Sequence, residues 1–375
     1  MPLSTSNSNV YYRDIPDKSW HSIIAIAMVL IVIGLGFWEA LARSMYHVPG
    51  TYQGLGYIWA DERRKLDGES DVRVVLAGSS RMLWAADLDI LEDKLGTRPI
   101  QLSLPGTSPA LIVQDIANNT EFNGLILVGA TPRLFNSTGK GFTGGLAFDR
   151  YHNLSPSQWS GNKLHRFLSD YIGFLDDAFD LFSLLERYTS FPDRPGAEDL
   201  KTGLWKLGNF YDDYQTDMWE PVETPGSFDN IQITNFWTPG IERPPQTPEE
   251  MAESAQKTIE FYAPLIEKIR ARGGDIVFIR MPSDGRYLDV DLETNHRELI
   301  WQPMTEGFDA TAINSHDYPQ LSSELDIPEW SHLSRASQDD WSRDIVPIVE
   351  QQYKAYRGQS LYDVINPAKS AGDDK

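Results

Sequence analysis

Cysteine is absent from this chain of 375 residues. That excludes a disulfide framework, thiolate metal sites and a cysteine nucleophile. It leaves the compartment open, because a periplasmic protein does without disulfides as readily as a cytosolic one. Positive charge is the second shortage: 33 Lys and Arg stand against 54 Asp and Glu, a formal net charge of −21. Nucleic-acid binding rests on neutralising phosphates, so that class is excluded. The same charge opposes broad adsorption to an anionic membrane surface. Histidine is sparse, at seven residues. No two of them stand at ligand spacing beside a carboxylate pair, so no metal site is expected, and no cofactor.

What is present is ordinary in bulk. The apolar share is 41% and the charged share 23%, as in a globular protein with a sizeable core. Eleven Trp, sixteen Tyr and sixteen Phe make the chain aromatic-rich. Core and loop packing accounts for most of these, although flat rings also stack on sugar faces. The length allows one large domain or two medium ones.

One segment departs from the globular pattern. Residues 22–38 run from Ser22 through Ile-Ile-Ala-Ile-Ala-Met-Val-Leu-Ile-Val-Ile to Phe37 and Trp38 without a charge. Ala40, Leu41 and Ala42 lengthen the run past Glu39, towards the roughly 17–25 residues that cross a bilayer. Trp20 and Trp38 stand near its ends, where interfacial aromatics are favoured. Ala40-Leu41-Ala42 has the small-x-small form of a signal-peptidase site. The run is longer than the ~7–15 residues of a signal-peptide core, so an uncleaved transmembrane anchor over 21–42 is expected. Arg13 and Lys18 precede it and Arg43 follows, so charge barely sets its orientation.

Beyond a juxtamembrane spacer (43–72), with a short polar helix around Trp59 to Leu66, short β-branched runs alternate with helical patterns. Arg73–Ala77 reads as a buried strand, Met82–Leu95 as a helix closed by Gly96, Pro99–Leu104 as a strand. Pro109–Asn118 reads as a helix and Gly124–Val128 as a third strand. The pattern resumes at Thr247, which opens a long helix to about Ala271 with Pro and Glu in its first turn. Asp275–Arg280 is a fourth strand, Ala310–Asn314 a weaker fifth, and Ser334 opens a last helix to about Tyr356. The β-α-β-α-β order with short loops implies an α/β domain with parallel strands, spanning 73–356. Residues 133–246 form a loop-rich insert, with one helix expected near Lys163–Arg187. Residues 357–375 read as a disordered tail.

Ligands in such sheets sit beyond the carboxyl ends of the strands. Three loops qualify: Gly78-Ser79-Ser80-Arg81, Pro105-Gly106-Thr107-Ser108 and Gly129-Ala130-Thr131-Pro132. A serine at a strand-to-helix junction exposes its hydroxyl beside backbone N–H groups that can hold an oxyanion. Ser80 is the candidate nucleophile, although Ser is also an ordinary helix cap. Its candidate base is His332, in Pro328-Glu329-Trp330-Ser331-His332-Leu333 just before the last helix. His21 and His47 flank the anchor, and His152, His165, His296 and His316 lie in the insert or in late polar segments. Glu329, three residues ahead of His332, can orient the imidazole, with Asp326 as the alternative. Arg81, Asp284 and Arg286 are possible substrate-binding residues. Capping the strand end is the alternative role for Arg81.

The order of these features resembles the SGNH (GDSL-like) hydrolases: strand, Gly-x-Ser, a glycine-bearing second loop, a third loop, and acid-x-x-His before the C-terminal helix. The resemblance covers residues 73–133 and 274–356 and leaves out the insert. It implies a flavodoxin-like SGNH domain with a parallel sheet. Ser80 matches the nucleophile, His332 the base and Glu329 the orienting acid. Ser80, Gly106 and Thr131 match the oxyanion hole. An N-terminal anchor followed by Gly-Ser-Ser-Arg, together with a strand ending in Arg-Met-Pro-Ser, is similar to the SGNH partners of membrane-bound O-acyltransferases. These include the alginate O-acetylation proteins and the teichoic acid D-alanyl transfer protein. The family pattern departs at three places: Ser79 stands for its usual Asp, Thr131 for its Asn, and Glu329 for its Asp. The resemblance implies O-acyl transfer, acetyl in the first instance, to a cell-surface polysaccharide through a seryl ester, with a membrane-bound O-acyltransferase as partner. It places residues 1–20 in the cytoplasm of a bacterium and the body in the periplasm. A glycan esterase and a non-catalytic scaffold subunit are the alternatives.

Overall fold

A computed structural model of the chain describes residues 19–45, 54–132, 134–137, 139, 141–176, 179, 206–241, 246–294 and 296–367. Its centre is a sheet of five parallel strands: β1 (Val74–Ala77), β2 (Ile100–Gln101), β3 (Leu125–Ala130), β6 (Asp275–Arg280) and β7 (Thr311–Asn314). The insert contributes the antiparallel pair β4 (Gly208–Phe210) and β5 (Thr216–Met218). The order across the large sheet is β2-β1-β3-β6-β7. The chain grows outward in one direction from β1 to β2 and in the other from β3 onward. The point of reversal lies between β1 and β3, and sheets of this kind place their ligand crevice beyond the carboxyl ends at that point.

The sheet is buried on both faces, which explains why its strands read as unbroken apolar runs. Alternation sends Val75, Ala77, Ile126, Val128, Ile276 and Phe278 to one face. The helices Leu55–Arg64, Pro109–Asn119 and Pro248–Arg270 cover that side. Val74, Leu76, Leu125, Leu127, Val277, Ile279 and Ile313 point the other way. The helices Leu88–Leu95 and Arg335–Arg357 cover them with Leu91, Leu95, Trp341, Ile345 and Val349.

Several expectations change in detail. The helix expected over Met82–Leu95 is two, Ser80–Ala85 and Leu88–Leu95, because Asp87 adopts an extended backbone and caps the second through Ile90 N–H. The strand expected over Pro99–Leu104 pairs regularly only at Ile100–Gln101, although Leu102 and Leu104 still donate to Leu76 and Gly78. Within the expected spacer, the helix Leu55–Arg64 buries Trp59, Ala60 and Arg63 completely and belongs to the body. Arg63 is neutralised there by buried Asp115. The helix expected at Lys163–Arg187 starts earlier, at Pro156, and ends at Ser169, with Ser155 closing a capping box. The remainder of that prediction, at 177–178 and 180–187, lies outside the described residues. The expected tail is ordered through residue 367, because Leu361 and Ile365 of the capped helix Leu361–Ile365 are buried. Residues 368–375 lie outside the described residues, as do 1–18.

The N-terminal helix, Trp20–Met45, has 26 residues and is about 39 Å long. It is apolar around its whole circumference and unburied along its apolar stretch. It is long and apolar enough to cross a membrane. Among the described residues, its far end carries the contacts to the body. Trp38 Nε1 donates to Phe179 O at 2.9 Å, and Arg43 donates to Tyr171 O at 2.5 Å. Glu39 accepts from the amides of Gly173 and Phe174 at 3.0 and 3.2 Å.

Candidate active site

The β1 loop carries Ser80 to the crevice. Ser79 has extended backbone and is the N-cap, and Ser80 is the first residue of the helix Ser80–Ala85. The N-cap position is therefore Ser79's, without a side-chain cap bond, and Ser80 is half-buried. The hydroxyl of Ser79 is fully buried and bonds to Thr131 Oγ1 at the end of β3. This contact ties the first and third loops together across the point of strand reversal. Gly78 and Gly129 make the approach possible. A Cβ on either would lie 2.5 or 2.6 Å from Met82 Cβ, closer than atoms tolerate. The helix is thus pressed onto the ends of both strands, with its first-turn amides unpaired within the helix.

The second loop brings Gly106 to the same edge of the sheet. Gly106 has φ +60° and is exposed. A helix of the insert, Gly141–His152, packs against this loop. Gly144 N–H donates to Thr107 Oγ1 at 3.2 Å, and Thr143 Oγ1 donates to Pro105 O.

His332 and Glu329 are both fully buried. His332 Nδ1 lies 2.9 Å from Glu329 Oε1. The same oxygen accepts the amide of His332 at 2.5 Å and that of Ser331 at 3.3 Å, and Trp237 Nε1 donates to the other oxygen. A carboxylate held by four donors fixes the tautomer: Nδ1 carries the proton and donates, leaving the Nε2 lone pair as the basic site. Nε2 is buried and has no hydrogen-bond partner among the described residues. Asp326, the alternative orienter, uses its backbone to hold the start of the last helix, through Ser337 Oγ and Ser334 N–H. Glu329 is therefore the residue on the imidazole.

Aromatic walls complete the histidine environment. Trp84 and Trp237 each place a ring centroid 5.4 Å from that of His332. Trp84 is four residues after Ser80 on one helix, so the two share a face. Trp84 thus links the helix that begins at Ser80 to the imidazole through a ring contact. No hydrogen bond joins Ser80 Oγ to His332 Nε2 in this structure.

Arg81 is buried and bonds Asp291 at 2.5 Å and Ser331 Oγ at 3.3 Å, with its guanidinium 4.7 Å from the Tyr287 ring. Ser283 Oγ donates to the same Asp291 oxygen at 2.7 Å, and Arg280 donates to Asp291 O at 3.1 Å. Arg81 thus links the serine helix, the histidine loop and the segment after β6. Of the other two expected substrate-binding residues, Asp284 and Arg286 have exposed side chains. The Asp284 amide donates to Trp330 O at 3.0 Å. Trp330 has φ +74°, a strained value for a bulky residue, and its ring lies over Gly285, where a Cβ would sit 2.6 Å from Trp330 Cδ1. Behind the cluster, burial and the neighbouring Arg280 cation push His316 down to about 4, so it is neutral.

Among the expected residues, the structure pairs Glu329 with His332 and binds Thr131 to Ser79. It stations Ser80 and Gly106 on the same edge of the sheet. Sequence reasoning missed Trp84, Trp237 and Asp291. Trp237 lies in the insert helix Phe228–Ile241, and nothing local marks it. Asp291 stands in a plain polar helix, Gly285–Thr294. Trp84 carries the one available signal, its i+4 spacing from Ser80.

Comparison of the sequence with protein-family models gives no match, and comparison with curated proteins gives none.

Proposed function

We propose that this chain is an SGNH-type serine acyltransferase with a flavodoxin-like body. It moves an acyl group, acetyl in the simplest case, onto an extracytoplasmic polysaccharide through a seryl ester at Ser80. The observation that carries this reading is the buried Glu329–His332 pair. A carboxylate that fixes the imidazole tautomer has the chemical form of a general-base device. In the reaction, His332 Nε2 takes the Ser80 proton as Oγ attacks the donor carbonyl. Amides of Ser80 and Gly106, with Thr131 behind them, stabilise the tetrahedral oxyanion. The donor's leaving group departs with the proton from His332. A sugar hydroxyl then attacks the seryl ester, and His332 takes its proton and returns it to Ser80. Attack by water in that second step would make the same site an esterase.

The reading further holds that Trp20–Met45 crosses the bacterial plasma membrane with the body on the periplasmic side. A membrane-bound O-acyltransferase partner supplies the acyl group. The apolar, unburied helix supports the anchor, and the family resemblance supports the side and the partner.

The test is covalent labelling of the full-length protein, purified in detergent, with a fluorophosphonate. Labelling that is lost in both Ser80→Ala and His332→Ala supports the activated serine. Labelling that persists in Ser80→Ala excludes it. Incubation of the labelled-competent protein with an acyl donor, with and without an oligosaccharide acceptor, separates transfer from hydrolysis by the partition of product. A Ser80→Ala strain whose envelope polymer is still modified as in the wild type would favour the scaffold role.

A further inference from the structure

The helix Pro156–Ser169 is inside out. Its buried side carries Asn162 and Ser169, 5% and 1% exposed. Its open side, continued by the next turn, carries Trp159, Leu164, Phe167 and Tyr171, at 52, 58, 59 and 63% exposed. A surface helix normally turns its apolar stripe to the core, and a contiguous exposed apolar face marks an interaction surface. The helix also contains no Asp or Glu, in a chain of net charge −21. Its Lys163 and Arg166 are neutralised by Asp61 and Asp212 of the body.

The position of this face identifies its occupant. The N-terminal helix exceeds the ~30 Å hydrocarbon thickness of a bilayer by about 9 Å, so its last turns stand in the headgroup region. Glu39 and Arg43 in those turns bind Gly173, Phe174 and Tyr171, and Trp38 stacks on Phe174 with centroids 5.4 Å apart. Tyr171 is thereby bonded to the end of the anchor. Leu164 and Phe167 follow within two helical turns of it, about 10 Å.

We propose that the face formed by Leu164, Phe167 and Tyr171 is seated in the headgroup–acyl boundary of the same membrane that the N-terminal helix crosses. It would be a second, monotopic contact that sets how the body stands on the bilayer. Trp and Tyr favour this layer, and the binding is driven by apolar burial, as for interfacial helices. The net negative charge of the body lies largely elsewhere, because the helix contributes no carboxylate before its C-cap Asp170. The inference rests on the reading of Trp20–Met45 as a membrane span and is independent of the catalytic reading.

The absence of cysteine makes the test direct. Single substitutions Leu164→Cys, Phe167→Cys and Tyr171→Cys in the full-length chain are spin-labelled and reconstituted in nanodiscs of phosphatidylcholine and phosphatidylglycerol. Accessibility is measured to oxygen, which concentrates in lipid, and to a water-soluble nickel complex. Ile31→Cys, in the middle of the anchor, and Tyr362→Cys, exposed on the body, give the two reference values. The expected result is high oxygen and several-fold reduced nickel accessibility at 164, 167 and 171, between the two references. Values equal to those at 362 would place the face in water and overturn the proposal. Exclusion of both reagents would mean that protein covers it, whether another segment of this chain, a second copy or a partner, and would overturn it equally. Failure of the Ile31 label to report lipid would refute the anchor reading itself, which keeps the two failures distinct.

Discussion

The serine side and the histidine side of the crevice are built by different physics. The Ser80 junction is a product of sheet topology: two adjacent parallel strands end together, and Gly78 and Gly129 let one helix press onto both ends. Almost all of it comes from residues 74–131. The histidine loop has no such frame. It follows no strand directly, holds Trp330 at φ +74°, and is kept in place from three separate parts of the chain: by the side chains of Arg81 and Trp237 and by the backbone of the Asp284–Gly285 turn. A backbone frame fails only when the fold fails. A polar network fails wherever one member is removed, so the histidine side is where single substitutions separate activity from folding.

The largest effect is expected at the buried link between the two sides. Asp291→Ala removes the partner of Arg81 and of Ser283 together. It leaves a guanidinium buried without its counter-charge, at a cost of about 3–5 kcal/mol. Denaturant unfolding of the full-length protein in detergent measures it. Replacing both members, Arg81→Met with Asp291→Leu, should recover most of that loss, because the penalty lies in the orphaned charge. A double variant as unstable as the single one would show that the pair matters through packing, and that the two sides are not joined by charge.

A smaller and more selective effect is expected at Trp237. Trp237→Phe keeps a ring near His332 and removes one of the four donors to Glu329. A hydrogen bond to a charged group is worth about 1.5–3 kcal/mol. Fluorophosphonate labelling of Ser80 should therefore slow by about tenfold or more, with the unfolding midpoint moved little. Gly285→Ala acts on the same loop from beneath, by driving a methyl into the Trp330 ring. It should slow labelling in the same direction. Equal loss of stability and labelling in both variants would erase the distinction between frame and network.

The contrast also explains what the sequence disclosed. The strands, their parallel order and the Ser80 junction are local patterns: apolar runs, glycines and a serine at a break. The pairing of Glu329 with His332 is local as well, three residues within one loop. Asp326 competed with Glu329 on spacing alone, and the backbone bonds that engage Asp326 in starting the last helix are visible only in three dimensions. Trp237 and Asp291 are reached through long-range contacts, 92 and 210 residues from their partners, and no periodicity encodes those. The division of the Ser80–Leu95 stretch into two helices turns on Asp87, whose amide is drawn to Ser342 in the last helix. The order of the tail is hidden for a similar reason: Leu361 and Ile365 are covered by the body, and the Ser360 cap is braced by Glu350.

The smallest effect sharpens the comparison by pH. His316 lies behind the Arg81–Asp291–Arg280 cluster, where burial and Arg280 push it down to about 4, below its ordinary value near 6.5. Between those two values the unfolded chain binds a proton that the folded chain does not. Stability contributed by the neutral imidazole is thus complete above about 6.5 and is lost as pH falls towards 4. From pH 7 to pH 5 the loss amounts to about 2 kcal/mol at most. His316→Asn should flatten the dependence of the unfolding midpoint over that interval and leave the pH profile of Ser80 labelling in place, since the proposed base is His332. A labelling profile that moved with His316→Asn would show that the charge cluster reaches through Arg81 and Ser331 to the imidazole, and that the network governs the reactivity of His332 as well as its position.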